Sequence, residues 1–195
     1  MMTPALAKAA FVLLAAGWYL IRHPHARRSR RTPIARSSRG AREIALLCVS
    51  LAGLGLVPLL SVATGFPNVA RYPFRPAQAW AGLIAACAAL ALFHLTHRAL
   101  GRNWSISLEV RESHRLVTDG IYRHIRHPMY TAFWLWALAQ ALLLPNWVAG
   151  LSGAVGFGTL YAFRVGQEER LMIETFGEPY HVYMRRTARV IPFLH

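Results

Sequence analysis

Three long stretches without Asp, Glu, Lys or Arg constrain this chain more than any other feature of its 195 residues. They run from Ile44 to Ala70, from Pro76 to His97 and from Met129 to Phe163, and they are 27, 22 and 35 residues long. Apolar stretches of this length have no polar face to present to water and are typical of membrane-spanning helices. With 55% apolar residues, the chain is neither a disordered basic protein nor an ordinary soluble domain.

We predict an all-α, polytopic membrane protein with five membrane-spanning helices and a cytoplasmic C-terminal helical segment. The predicted spans are Ala5–Ile21, Ile44–Gly65, Ala77–Leu95, Met129–Leu144 and Trp147–Phe163. Lys8 interrupts the first span, and a cleaved signal peptide is the alternative. Because Tyr19-Leu20-Ile21-Arg22 lacks the small residues of a cleavage site, we expect the first span to remain as a membrane anchor.

Small residues recur along the last predicted span. Gly150, Ala154 and Gly158 are four residues apart, and Gly153 and Gly156 add further small positions. Such faces allow membrane helices to approach closely. We therefore expect spans four and five to form a tight helical hairpin, with the glycines packing against helices and not against a ligand.

Arginine dominates the charge of the chain, whose 22 Lys and Arg face 8 Asp and Glu. The segment Arg22–Arg42 contains eight Arg and no acid. A nucleic-acid patch is one interpretation, but beside apolar spans such a segment favours the cytoplasmic side and contact with anionic lipid head groups. We predict no nucleic-acid partner. The segments predicted to be cytoplasmic are 22–42, 96–128 and the tail after 164; those predicted to be outside are the N-terminus, 66–76 and 145–146.

No metal site or disulfide is predicted. Cys48 and Cys87 each fall inside a predicted span, which favours two small buried residues. His124 and His127 are three residues apart, but no third ligand follows at helical spacing. The sequence also lacks the Gly-rich, Walker and Gly-x-Ser-x-Gly motifs of common soluble enzymes.

Functional groups concentrate first in the segment 116–130. Arg126-His127-Pro128 lies where span four begins, and a proline in the first helical turn leaves the other backbone N–H groups there available. Together with Arg126 and His127, these N–H groups suit a carboxylate or a phosphate. Simple anchoring of Arg, His and Tyr at the membrane surface is the alternative.

A second concentration of charge follows span five. Arg164 and Glu168 are four residues apart and share a helix face. One interpretation is a surface ion pair of little energetic value. The other interpretation, which the small number of acids in the chain favours, is that Glu168 is a functional carboxylate suited to binding ribose hydroxyls or an amine.

Together these segments resemble the isoprenylcysteine carboxyl methyltransferase family of integral membrane enzymes, including its bacterial branch. The matching stretches are LVTDGIYRHIRHPMY at 116–130, EERLMIETFGEPYHVY at 168–183 and RVIPF at 189–193. The resemblance implies a single membrane domain, 1–195, in which 1–95 supply variable spans and 96–195 form the methyltransferase core. It also implies a bacterial inner membrane and a cofactor cavity closed by the C-terminal segment.

The resemblance further implies methyl transfer from S-adenosylmethionine to a small or lipid-like acceptor. Arg164 would face the acceptor. A carboxylate acceptor needs no base, whereas a thiol, phenol or amine would give its proton to Tyr122 or His124. Carried over by position, the cofactor contacts would be His114, Arg115, Leu116, Val117, Tyr122, Arg126, His127, Pro128, Met129, Tyr130 and Glu168.

Two other functions stay open at this point. Membrane sterol reductases share a related Arg-His-Pro segment and bind NADPH, but they usually have more spans than the five predicted here. A non-catalytic membrane protein that keeps the fold is the other alternative.

Overall fold

A computed structural model describes residues 1–29, 34–37, 40–101, 109–111 and 116–192, which are mostly helical. The α-helices of these residues are α1 (Pro4–Ser29), α2 (Ala41–Leu51), α3 (Val57–Thr64), α4 (Pro76–Leu100), α5 (Pro128–Leu143), α6 (Trp147–Phe176) and α7 (Glu178–Arg186). A π-helical turn, Ala52–Leu56, joins α2 to α3, and Asn68–Ala70 and Gly120–Arg123 form 3-10 turns. The predicted all-α class is confirmed.

Among the described residues, four helical stretches are long and apolar enough to cross a membrane. They are Pro4–Arg27, Ala41–Thr64, Pro76–Leu100 and Trp147–Phe176, and they cover predicted spans one, two, three and five except for Gly65 at the end of span two. Predicted span four corresponds to α5, which has 16 residues. At about 1.5 Å per residue, α5 is shorter than a bilayer core of about 30 Å. Five spans therefore stay a prediction.

The described loops alternate between the two ends of the helices. A short antiparallel pair joins strand β1 (Ile34–Ser37) to strand β2 (Glu109–Arg111), and Ile125 bridges to Ala188. At the other end, Arg71 bridges to Asn146. The Arg-rich segment, the loop before α5 and the tail therefore share one end, as predicted, although which end is cytoplasmic stays a prediction.

The chain is interrupted at Gly177, between the end of α6 and the start of α7. Gly177 has a φ of 59°, a conformation that favours glycine, and its N–H donates to Ile173 O at 2.8 Å. α7 restarts at once with Pro179 in its first turn. After this break the chain changes direction, and α7 packs against α6 at the end that is predicted to be cytoplasmic.

Pro58 explains the π-helical turn and the hydrogen bonds that two side chains of α5 donate to this turn. Val57 N–H donates five residues back, to Ala52 O, and Pro58 has no N–H to continue the ladder. Inside a membrane the carbonyls left over must be satisfied by the protein itself. Trp136 Nε1 donates to Leu54 O at 3.2 Å, and Gln140 Nε2 donates to Gly53 O at 3.1 Å.

The same turn brings α6 very close to the second span. A Cβ added at Gly53 would lie 2.2 Å from Ser152 O, and one added at Gly156 would lie 2.7 Å from Val49 O. Gly153 likewise faces the side chain of Gln140. The four glycines of the predicted small-residue pattern, which are Gly150, Gly153, Gly156 and Gly158, therefore all face neighbouring helices.

Candidate active site

The segment 116–130 is held in place by the C-terminal part of the chain. Arg126 N–H donates to Ala188 O at 2.8 Å, and His127 N–H donates to Arg189 O at 3.0 Å. These bonds continue the Ile125–Ala188 bridge. The tail thus runs along the residues that precede α5.

A buried carboxylate, Glu169, gathers three cationic or basic side chains. Its Oε1 lies 3.2 Å from Arg126 Nε and 3.3 Å from His127 Nε2, and its Oε2 lies 2.6 Å from Arg189 Nη2. The residue is only 5% exposed. Glu169 therefore joins α6, the segment before α5 and the tail in a single network.

Arg126 has further partners in the chain. Its Nη1 donates to Met184 O at 3.1 Å and also to Thr187 O. We predict that Arg126 and His127 receive an anion, and the anion that the structure places against them is Glu169. Their contact with a bound carboxylate stays a prediction, and their contacts within the fold give them a structural role as well.

Glu168, one residue earlier, faces a large cavity. Its Oε2 accepts a hydrogen bond from Tyr130 Oη at 2.5 Å. The ring of Tyr130 stacks on that of His127, with centroids 5.2 Å apart and an interplanar angle of 11°. These contacts orient the carboxylate of Glu168 at the cavity wall.

Arg164 and Glu168 share a helix face, and each has a partner on another helix. Arg164 Nη1 lies 3.2 Å from Glu43 Oε1, whereas Glu168 bonds to Tyr130. Arg164 is 8% exposed and Glu43 is 6% exposed. The ion pair of Arg164 is therefore buried and joins α6 to α2, unlike the surface pair between Arg164 and Glu168 that was the alternative.

The cavity has a volume of about 1050 Å³, and most of the predicted site residues form its wall. Pro128 is buried in the first turn of α5 and is not part of the wall, and His114 and Arg115 lie outside the described residues. The predicted site residues that line it are Leu116, Val117, Tyr122, Arg126, His127, Met129, Tyr130, Arg164 and Glu168.

The remainder of the wall divides into two parts. Its polar part includes Tyr180 and Tyr183 of α7 and three basic residues of α1, which are Arg22, His23 and Arg27. The apolar part is supplied largely by the first two spans together with α4 and α5, through Trp18, Leu47, Leu51, Leu54, Phe93, Phe133 and Trp136. The cavity thus joins a polar end to a long apolar compartment.

The two predicted proton acceptors differ in position. Tyr122 is buried in the cavity wall, where burial and the negative charge of Glu168 raise its pKa well above the usual value. Its phenol therefore keeps its proton at neutral pH and acts as a donor. His124 is exposed and does not line the cavity.

Sequence reasoning missed Glu43, Glu169 and Arg189. Glu169 lies inside the matching stretch 168–183, but the pattern assigns a role only to Glu168. Glu43 is the only acid among the first 108 residues, and that scarcity was the one available signal. Arg189 begins the matching stretch 189–193 and carried no assigned role.

Comparison with known proteins finds similarity over slightly less than half of the chain. Residues 81–174 match the model of the Isoprenylcysteine carboxyl methyltransferase (ICMT) family. The Protein-S-isoprenylcysteine O-methyltransferase of Schizosaccharomyces pombe is 36% identical over 43% of this chain and 35% of its own length. Arabidopsis thaliana Protein-S-isoprenylcysteine O-methyltransferase B is 32% identical over 49% of each chain. The human Protein-S-isoprenylcysteine O-methyltransferase is 33% identical over 47% of this chain and 32% of its own.

A solved structure shares the fold. The eukaryotic intramembrane Ras methyltransferase ICMT matches with a TM-score of 0.55 and 21% identity, over 77% of this chain and 53% of that chain. The chain spans between about a third and a half of the length of these three curated relatives. With its long apolar helices, the shared fold makes this chain an integral membrane protein.

Proposed function

We propose that this chain is a member of the isoprenylcysteine carboxyl methyltransferase family, whose model matches residues 81–174, and that it transfers a methyl group from S-adenosylmethionine to an apolar, lipid-like acceptor. The observation that carries this proposal is the continuous cavity with one polar end and one apolar compartment. Leu160, Arg164 and Glu168 follow one another at four-residue spacing along the face of α6 that lines it. That face leads from apolar wall to carboxylate over about 12 Å.

The described residues at the polar end fit the proposed cofactor. The carboxylate of Glu168 suits a hydroxyl, an ammonium or another cationic group, and the buried rings of Tyr122, Tyr180 and Tyr183 offer flat surfaces and phenol donors. A cavity of about 1050 Å³ is at the upper end for a small-molecule site, which is roughly 300–1000 Å³. It therefore has room for a cofactor and part of an acceptor.

When bound, S-adenosylmethionine supplies a methyl group attached to a cationic sulfur. The chain's own residues then have to position the acceptor and exclude water. Arg164 is the cationic side chain next to the apolar compartment on α6, and we assign it the acceptor oxygen. Leu160 and Phe133, which both line the cavity, keep water from the reacting atoms.

An acceptor that is already ionised suits this wall best. Tyr122 retains its proton, and His124 does not reach the cavity, so neither predicted proton acceptor is placed to remove a proton from a thiol, phenol or amine. A carboxylate is ionised at neutral pH and needs no base. This supports a carboxylate on an apolar molecule that enters from the bilayer.

The NADPH-dependent reductase and the non-catalytic membrane protein are not favoured, because the matched relatives are methyltransferases. We retain as proposals the division of the chain near residue 95, the bacterial inner membrane, the cytoplasmic position of the polar end and contact of the Arg-rich segment with anionic lipids. In this orientation the polar end of the cavity faces the cytoplasm, which contains the proposed cofactor.

Calorimetry on the detergent-solubilised protein tests the proposal. S-adenosylmethionine and S-adenosylhomocysteine should both bind, and NADPH should not. Transfer of a labelled methyl group to N-acetyl-S-farnesylcysteine should follow, with N-acetylcysteine as the control that lacks the apolar chain. Binding of NADPH without a response to either adenosyl compound would refute the proposal.

The two cysteines allow an independent test of the acceptor compartment. Both thiols are exposed, so the prediction that the two cysteines are buried is wrong, and of the two Cys48 lines the cavity whereas Cys87 does not. N-acetyl-S-farnesylcysteine should therefore slow alkylation of Cys48 by a small maleimide and leave the rate at Cys87 unchanged. Equal protection of both cysteines would show that the probe merely perturbs the detergent micelle.

A further inference from the structure

Glu43 is an acidic residue in a strongly basic part of the sequence. It follows directly on a segment with eight Arg and no acid, and it lies outside the matched residues 81–174. Its carboxylate nevertheless lies 3.2 Å from Arg164, on the part of α6 that does belong to the matched region. The first turn of α2 thus delivers a negative charge to the guanidinium that faces the acceptor.

Among the residues that the structure describes, Glu43 makes its ion pair at the cavity wall with Arg164. Arg164 is part of the cavity wall, whereas Glu43 is not, although the next residue, Ile44, is. Both partners are almost completely buried. Glu43 therefore stands behind Arg164 as seen from the cavity.

The backbone that carries Glu43 is fixed on α6 at several points. Arg42 places its guanidinium 5.0 Å from the centre of the Phe163 ring, a cation–π distance. One turn further along, Leu46 and Leu47 pack against the buried cluster that contains Phe157. Contacts on both sides of Glu43 thus hold its carboxylate in register with Arg164.

A buried guanidinium without a counter-charge is strongly unfavourable, and a long Arg side chain has many rotamers. Glu43 solves both problems, because it supplies the charge and fixes one direction for the side chain. The first spans then contribute more than an apolar wall, since they set the geometry of the group that faces the acceptor.

We infer that Glu43 is a positioning residue for methyl transfer, which holds Arg164 at the cavity wall and balances its charge. The inference rests on the proposed function for the role of Arg164. It adds that the first turn of α2 is required for transfer, although that turn lies outside the family match.

The test is a double-mutant cycle on the full chain with two readouts. Glu43→Gln should lower kcat/KM for N-acetyl-S-farnesylcysteine at least tenfold and leave the Kd of S-adenosylhomocysteine within twofold of the parent. Glu43→Asp, which keeps the charge, should recover part of the loss. Glu178→Gln makes the same chemical change in an exposed pair with Arg185 and is the matched control, which should be silent in both assays.

The second readout is thermal stability, which needs no substrate. Arg164→Ala leaves the carboxylate of Glu43 buried without its cation, so this variant should melt below the parent. Adding Glu43→Gln to it should raise the melting temperature again. In activity, the double variant should be no worse than Arg164→Ala alone, because Glu43 acts only through Arg164.

Two results would overturn the inference while leaving the proposed function intact. One is a Glu43→Gln variant that transfers methyl groups as the parent does. The other is a double variant whose activity losses multiply and whose stability losses add. A parent protein that binds neither adenosyl compound would instead refute the proposed function and, with it, the role of Glu43 in transfer.

Discussion

Glu168 and Glu169 are consecutive residues of α6 whose carboxylates have opposite surroundings. Glu168 faces the cavity and accepts a hydrogen bond from Tyr130, whereas Glu169 is buried between Arg126, His127 and Arg189. Successive residues of an α-helix point about 100° apart, so one helix turn can serve two environments. One acid is thereby presented to the cavity, while the other joins three segments of the fold.

Substitution by glutamine should separate the two roles. Glu169→Gln removes the negative charge from a buried ionic network and should cost on the order of 3 kcal/mol of stability. Glu168→Gln should melt near the parent but weaken S-adenosylhomocysteine binding by about tenfold to a hundredfold, because a charge-assisted hydrogen bond is lost. Melting curves and calorimetry on the same preparations measure both. Equal loss of cofactor affinity, without destabilisation, in the two variants would contradict this division.

The arrangement of the chain across the membrane can be tested with reporter fusions. Because the Arg-rich segment favours the cytoplasm, a fusion at residue 70 should report the outside and one at the C-terminus should report the cytoplasm. If α4, α5 and α6 all cross the membrane, the two positions give opposite signals whichever way the chain is inserted, because Arg71 bridges to Asn146 at one end of the helices and Ile125 bridges to Ala188 at the other. A cytoplasmic signal at residue 70 would reverse the proposed orientation.

Close packing of α2 and α6 predicts a sharp contrast between two glycines of the same π-helical turn. Gly53→Ala places a Cβ against Ser152 O, which is backbone and cannot give way without moving a helix. We expect a loss of about 1–3 kcal/mol. Gly55→Ala is the matched control, since its new Cβ would meet only Leu51 Cδ1, at 4.0 Å. Melting temperatures should fall for the first variant and hold for the second.

Buried tyrosines outside the spans predict how stability changes in alkali. Burial raises the pKa of Tyr183, as it does for Tyr122. The phenols keep their protons in the folded chain, whereas those of the unfolded chain ionise near pH 10. The contribution of these raised pKa values to stability is therefore fully present below about pH 10 and is lost as the pH rises above it. Tyr183→Phe removes one such group.

Tyr183→Phe should therefore be less stable than the parent at pH 8, because the bond from Tyr183 Oη to Tyr122 O is lost. The difference in melting temperature should shrink as the pH approaches 11. A difference that stays constant or grows between pH 8 and 11 would contradict the assigned pKa shift.

Much of the fold could be predicted because the sequence features that define a membrane helix lie within the helix itself and at its two ends. The uncharged runs predict the positions of the spans, and the Phe176-Gly177-Glu178-Pro179 sequence predicts the break in the last helix. The turn 145–146 predicts the hairpin of α5 and α6, which Asn146 caps by accepting from Ala149 N at 3.0 Å. Each of these features depends on residues that are close in sequence.

What sequence reasoning missed depends on contacts between distant residues. Arg164 and Glu168 satisfy the spacing rule for an ion pair, but packing of α2 on α6 brings Glu43 to Arg164 instead. Helical spacing also predicts nothing about a carboxylate such as Glu169, whose partners come from two other segments. Likewise, Pro58 has no N–H and must leave a carbonyl of the preceding turn without its helical partner. The hydrogen bond from Trp136 to Leu54 O, which satisfies such a carbonyl, can be seen only in the folded structure.

The first two spans lie outside the matched residues and share the apolar compartment with Phe93, Phe133 and Trp136 from within them, whereas the polar end lies largely within or after the matched residues. Under the proposed function, the acceptor therefore contacts a part of the chain that the cofactor contacts less. We expect substitutions in the first two spans to change the choice of acceptor more than the affinity for the cofactor. Such substitutions have one constraint, because any replacement for α2 must still bring a negative charge to Arg164.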